Sequence, residues 1–97
     1  MLTGKQRAYL RKLANSLPSA YQVGKSGYQT EAYLEQIRQG LDKNELIKLC
    51  VLETAEDSPR VISEALCRLV PCEGVQVIGR KIVLYRKNPK KPVIELP

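Results

Sequence analysis

Residues 22–27 read Gln-Val-Gly-Lys-Ser-Gly. Gly24-Lys25-Ser26 carries the ending of a nucleotide-binding P-loop, in which backbone amides wrap the phosphates and the lysine neutralises them. That loop also requires glycine five residues before the Gly-Lys pair. Ser19 stands there, preceded by Pro18, so the long cradle for a triphosphate cannot form in the usual way. What remains is Gly24-x-x-Gly27. The two glycines permit backbone angles and close approaches that other residues forbid. Lys25 adds a charge and Ser26 a hydroxyl. Such a loop suits one phosphate, and a backbone phosphate of RNA fits it better than a free nucleotide. KH domains clamp a nucleic-acid backbone with a GxxG loop on this principle. An ordinary glycine-rich turn is the plain alternative.

Other chemistry is scarce. The chain has no histidine, which removes the commonest general base and metal ligand. Cys50, Cys67 and Cys72 lack the CxxC spacing and further ligands of a zinc site. They read as reduced thiols in the core, so neither a metal nor a cofactor is expected. An enzyme acting on a phosphorylated substrate would have to use Cys50 or a carboxylate. Cys50 lies in an apolar stretch, where a thiol is inert.

Charge is distributed unevenly along the 97 residues, whose net is +6. Residues 1–27 hold Lys5, Arg7, Arg11, Lys12 and Lys25 with no acid, a net of +5. Residues 28–73 hold five basic and nine acidic residues, a net of −4. Residues 74–97 hold Arg80, Lys81, Arg86, Lys87, Lys90 and Lys91 against Glu95, a net of +5. If the fold brings the two ends together, one face is strongly positive, the footprint of a polyanion binder.

The elements that must position these groups follow from pattern. Thr3-x-x-Gln6 is a capping box. Behind it Gln6, Tyr9, Leu10, Leu13, Ala14 and Leu17 share one helical stripe, which predicts a helix over 3–15 with a basic exterior. Pro18 stops it. A short strand over 20–24 leads into the glycine loop, and Thr30 caps a second helix over 31–42, with Leu34, Ile37 and Leu41 inward. Residues 45–53 are apolar on both faces except at Lys48, as in an interior strand. Ser58-Pro59 starts a third helix. Ile62, Ala65, Leu66 and Leu69 form its inner face, and Pro71 ends it. Residues 74–87 read as a hairpin turning at Gly79-Arg80, with glycine placed for a type II′ turn. The predicted order is α-β-α-β-α-β-β, an α/β fold with one mixed four-stranded sheet. Strands alternating with helices imply a largely parallel sheet, with the last hairpin strand antiparallel. Residues 88–97, with three prolines, are expected to run extended over the surface or to be partly disordered, as the end of a single domain over 1–97.

"LTGKQRAYLRKLA", "QVGKSG", "ELIKLCV", "VQVIGRKIVLYR" and the closing "IELP" together resemble the bacterial single-domain CRM proteins, the YhbY-like family. The resemblance runs from Leu2 to Pro97 without a large gap and shows no departure in the loop. It implies a fold similar to the C-terminal domain of translation initiation factor three. It also implies RNA binding through Gly24-Lys25-Ser26-Gly27 and a neighbouring basic surface, and association with precursors of the large ribosomal subunit (pre-50S).

The expectation is therefore a cytoplasmic, non-enzymatic RNA-binding protein of ribosome biogenesis. The charged N-terminal stretch lacks a signal-peptide core, and no run is long enough to span a membrane. The expected RNA contacts are Gly24, Lys25, Ser26 and Gly27, with Tyr28 placed to stack on a base. Lys5, Arg7, Arg11, Lys12, Arg80, Lys81, Arg86 and Lys87 form the surrounding field. An adaptor using the basic face on an acidic protein is the alternative. Its partners would survive ribonuclease in a pull-down.

Overall fold

The computed structural model describes residues 2–25 and 27–97. The elements follow in the order α1 (Gly4–Ala14), β1 (Tyr21–Val23), α2 (Glu31–Asn44), β2 (Leu46–Val51), α3 (Pro59–Leu69), β3 (Glu73–Ile78) and β4 (Lys81–Tyr85). All three helices start at the residues that chemistry favours. The Thr3 hydroxyl accepts from the Gln6 amide at 3.1 Å while Gln6 Oε1 accepts from the Thr3 amide at 3.1 Å. Thr30 caps Tyr33 N–H, and Ser58 caps Val61 N–H with Pro59 following.

The strands form one mixed sheet in the order β1-β2-β4-β3. β1 and β2 pair in parallel, while β4 is antiparallel to both β2 and β3. Three strands thus run one way and β4 opposes them, as expected. However, β4 inserts between β2 and β3, so only one neighbouring pair is parallel and the sheet is not largely parallel by pairing. Burial explains the insertion. Ile82, Val83, Leu84 and Tyr85 are all buried, as a strand covered on both faces must be, whereas Val77 and Ile78 on the edge strand β3 are exposed.

Side chains alternate across the sheet and divide the core in two. Ile47, Leu49, Val51, Ile82 and Leu84 face α2 and α3, whose Leu34, Ile37, Leu41, Ile62 and Leu66 complete that layer. Leu46, Val83 and Tyr85 face the other way, onto Leu10 and Ala14 of α1. Two predicted inward residues lie at the margin. Tyr9 is 37% exposed and Leu69 is 41% exposed, while Val70 just beyond α3 is fully buried.

Residues 88–97 are not loose. Ile94 and Leu96 pack on the α1 side of the core. Glu45, placed by pattern at the start of a strand, is instead the C-cap of α2 with φ 62°, and its side chain is fully buried. Its Oε1 accepts from the amides of Val93 and Ile94 at 2.7 and 2.6 Å, and its Oε2 from Asn88 at 2.6 Å. Burial alone would raise the pKa of this carboxyl. The amides of Asn88, Ile94 and Val93 outweigh burial, with Lys87 adding to them, and the pKa lies below the ordinary value.

Candidate nucleic-acid interface

The glycine loop leaves β1 at Val23, beside the last residue of β2, since Val23 and Val51 are register partners. It closes on itself by a bond from Gly27 N–H to the Gly24 carbonyl at 3.1 Å, with Gly27 at φ 86°, where a side chain would be strained. Gly24 faces the residues after β2. A Cβ there would meet Leu52 Cδ1 at 3.3 Å and Thr54 Oγ1 at 3.4 Å. The loop is therefore pressed against the β2–α3 connection, and Lys25 stands exposed. Ser26 lies outside the described residues.

Two features differ from a simple helix-start phosphate site. Tyr28, Gln29 and Thr30 intervene between Gly27 and α2, whose first turn carries the acid Glu31, paired with Arg38 at 3.0 Å. The donors nearest Lys25 are thus those of the loop itself. In addition, the cleft between the loop and α3, about 350 Å³, is lined by Glu56 and Asp57 as well as Lys25 and Gly27. The acids of the middle segment, distant in sequence, come back beside the loop in space. On the opposite side of Gly24 a shallower depression is lined by Gln22, Lys25, Leu52 and Thr54. None of these is a carboxylate.

The hairpin tip borders that second side. Gly79, at φ 57°, turns the chain so that Arg80 lies at the loop's end of the sheet. Arg80 Nε donates to the Val51 carbonyl at 2.7 Å and Nη2 to the Leu52 carbonyl at 2.6 Å. The guanidinium is thereby fixed, with further N–H groups left to offer. Lys81 Nζ donates to Ser19 Oγ at 3.1 Å, joining the hairpin to the segment before β1.

The remaining predicted contacts scatter. Arg7 is half-buried and donates to the Gly74 carbonyl at the start of β3, with Lys5 in the same helical turn. Arg11 is half-buried and Lys12 exposed further along α1. Arg86 and Lys87 follow the far end of β4. Arg86 Nη2 donates to Asp42 Oδ1 at 2.5 Å, near the end of α2. Arg80 and Arg86 stand six positions apart along the extended strand, about 20 Å. Lys25 and Arg86 thus occupy opposite ends of the sheet, and the single patch that the charge split suggested is divided. Position in a hairpin decides this: charges at the tip and at the base of β4 cannot share one edge.

Tyr28 does not offer its ring to a base. It is 5% exposed, packs in the α2–α3 core layer, and its hydroxyl donates to Asp57 Oδ2 at 2.9 Å. Burial, followed by the Asp57 interaction, raises its pKa. Sequence reasoning missed Lys48, whose ammonium reaches the Ala14 carbonyl at 3.2 Å and so ties α1 to the sheet. The signal was a single lysine inside an otherwise apolar strand.

Other chemistry is sparse in the structure as well. All three cysteines are free. Cys72 donates to Cys67 Sγ at 3.9 Å, which holds the Cys67 thiol below its ordinary pKa. Among the described residues, no group of three or more acids or cysteines is placed to hold a metal ion, and no helix is long and apolar enough to cross a membrane.

Residues 2–86 match the model of a family described as the CRS1 / YhbY (CRM) domain. The probable RNA-binding protein YqeI of Bacillus subtilis (strain 168) is 41% identical over 97 residues, covering all of both chains. A Haemophilus influenzae protein named RNA-binding protein is 34% identical over 96 residues, covering 99% of this chain and 95% of its own. The solution structure of the hypothetical protein SAV1595 from Staphylococcus aureus superimposes with a TM-score of 0.80 at 43% identity, covering both chains fully.

Proposed function

Since the chain belongs to the CRS1/YhbY (CRM) domain family, we propose that it is a non-enzymatic, cytoplasmic RNA-binding protein that grips backbone phosphates at the Gly24–Gly27 loop. One observation carries the placement. Gly24 and Lys25 border a depression whose described lining is free of carboxylates, and Arg80 and Lys81 are pinned beside it by bonds to Leu52 and Ser19. The opposite cleft presents Glu56 and Asp57 and would repel a phosphate. RNA therefore approaches from the Gln22–Thr54 side. Loop amides and the Lys25, Arg80 and Lys81 charges contact the backbone, and the exposed Lys12 toward the end of α1 extends the field. These are positioning contacts that do not read sequence. The names of the relatives support RNA as the partner.

The RNA we propose is ribosomal, within precursors of the large subunit, and the protein's role there is to assist assembly. Crosslinking in cells followed by sequencing of the bound RNA tests this. Enrichment at one region of large-subunit rRNA is the expected result. Crosslinks spread over messenger RNAs without such a region would contradict it.

A further inference from the structure

The segment after β4 carries lysines that the loop-end site does not use. We infer that Lys87, Lys90 and Lys91 form a second, separate contact surface for RNA backbone, at the opposite end of the sheet from the glycine loop. The inference rests on the RNA-binding reading and extends it from one contact region to two.

The way the segment is held carries the inference. Of its polar residues other than the lysines, Arg86 and Asn88 are occupied, and Glu95 is exposed. Arg86 is paired with Asp42 at 2.5 Å. The Asn88 amide goes to Glu45, its Nδ2 to the Asp42 carbonyl at 3.0 Å, and its Oδ1 to the amides of Lys90 and Lys91 at 3.0 and 3.1 Å. The amides of Val93 and Ile94 close on Glu45. Lys87, Lys90 and Lys91 are left exposed, and among the described residues none of them has a carboxylate within ion-pair distance. Nearby, Asp42 and Glu45 are both committed, and Lys43 adds one more exposed cation. A lysine-rich strand end is usually mobile and solvated. Here a buried carboxylate fixes it, so a polyanion binding there does not have to order it first. The three lysines also lie outside residues 2–86, the part that the family model matches.

With about 20 Å between Arg80 and Arg86, a strand of about four nucleotides, roughly 10 Å long at a stacked rise of about 3.4 Å per nucleotide, reaches one surface and a longer one reaches both. The probes are oligouridylates of about 4 and about 30 nucleotides, in filter-binding salt series; each phosphate contact contributes a slope of about 0.7 on single strands. Parent protein should show a steeper slope on the longer probe. Lys87→Ala with Lys90→Ala and Lys91→Ala should lower that slope by about 2 and bring it near the short-probe value. The corresponding triple arginine variant should restore it, because the contact is one of charge. These are exposed positions, and circular dichroism checks that the fold is kept. Parent-like affinity and slope in the alanine variant would overturn the second surface while leaving the loop site standing. Failure of the parent to bind either probe would overturn the RNA reading and the second surface together.

Discussion

The Tyr28 phenol donates to Asp57 Oδ2 at 2.9 Å, fastening the residue after the glycine loop to the residue before the N-cap of α3. The loop is therefore held from behind. Its position is set by a buried ring and one hydrogen bond, and its exposed side is left for a ligand. Tyr28→Phe should cost about 1 kcal/mol of stability, the worth of a single hydrogen bond, and leave RNA affinity near that of the parent. Denaturant melts and a binding titration check both. Intact stability with lost binding would mean that the hydroxyl contacts RNA.

Glu45 gives a pH-dependent prediction. Its folded-state pKa is depressed, so the stability it contributes is present in full above the unfolded value of about 4.3 and is lost as pH falls through the folded value. Glu45→Gln removes the charge and turns a donor toward an amide. It should cost about 2–4 kcal/mol at neutral pH, given hydrogen bonds to a charged group. The gap between parent and variant should narrow well below the unfolded value. An equal gap at pH 7 and pH 3 would contradict the role of the carboxylate.

Gly40 lies against Tyr21. A Cβ at Gly40 would sit 2.1 Å from Tyr21 Oη, so the ring must move. Gly40→Ala should destabilise by about 1–3 kcal/mol despite the better helix propensity of alanine. Gly40→Ala combined with Tyr21→Phe should recover part of the loss. A stabilised single variant would show that the ring is free to swing away.

The partial P-loop gives a negative expectation. With Ser19 in place of the first glycine and the loop closed between Gly24 and Gly27 at 3.1 Å, a triphosphate has no long cradle. Calorimetric titration with ATP or GTP should show no tight binding. Micromolar affinity would refute this.

Caps and periodicity made the helices legible, because Thr3, Thr30 and Ser58 act through local hydrogen bonds that sequence spacing reveals. The glycine loop was legible for a similar reason: it is a short contiguous motif. The place of β4 was less so, although "KIVLY", apolar on both faces, resembles β2 and marks a strand enclosed on both sides. Three features were hidden because they depend on contacts distant in sequence. Glu45 meets residues 43 to 49 positions later. Tyr28 meets Asp57. Arg86 meets Asp42, and with that pairing the expected single positive patch divides. Net charge along a chain does not say which end of a strand each charge occupies.

Lys25 tests the central claim most directly. Lys25→Ala should weaken binding about uniformly across RNA sequences and lower the salt slope by roughly one phosphate's contribution. Lys25→Asp with Ser26→Asp sets two carboxylates into the loop's sequence where a phosphate must approach. The measurement is a filter-binding salt series on this double variant against the parent, with circular dichroism to confirm the fold. The expected result is a folded protein that has lost RNA binding and association with large-subunit precursors. A folded double variant that binds RNA as well as the parent would mean that Gly24–Gly27 is only a turn.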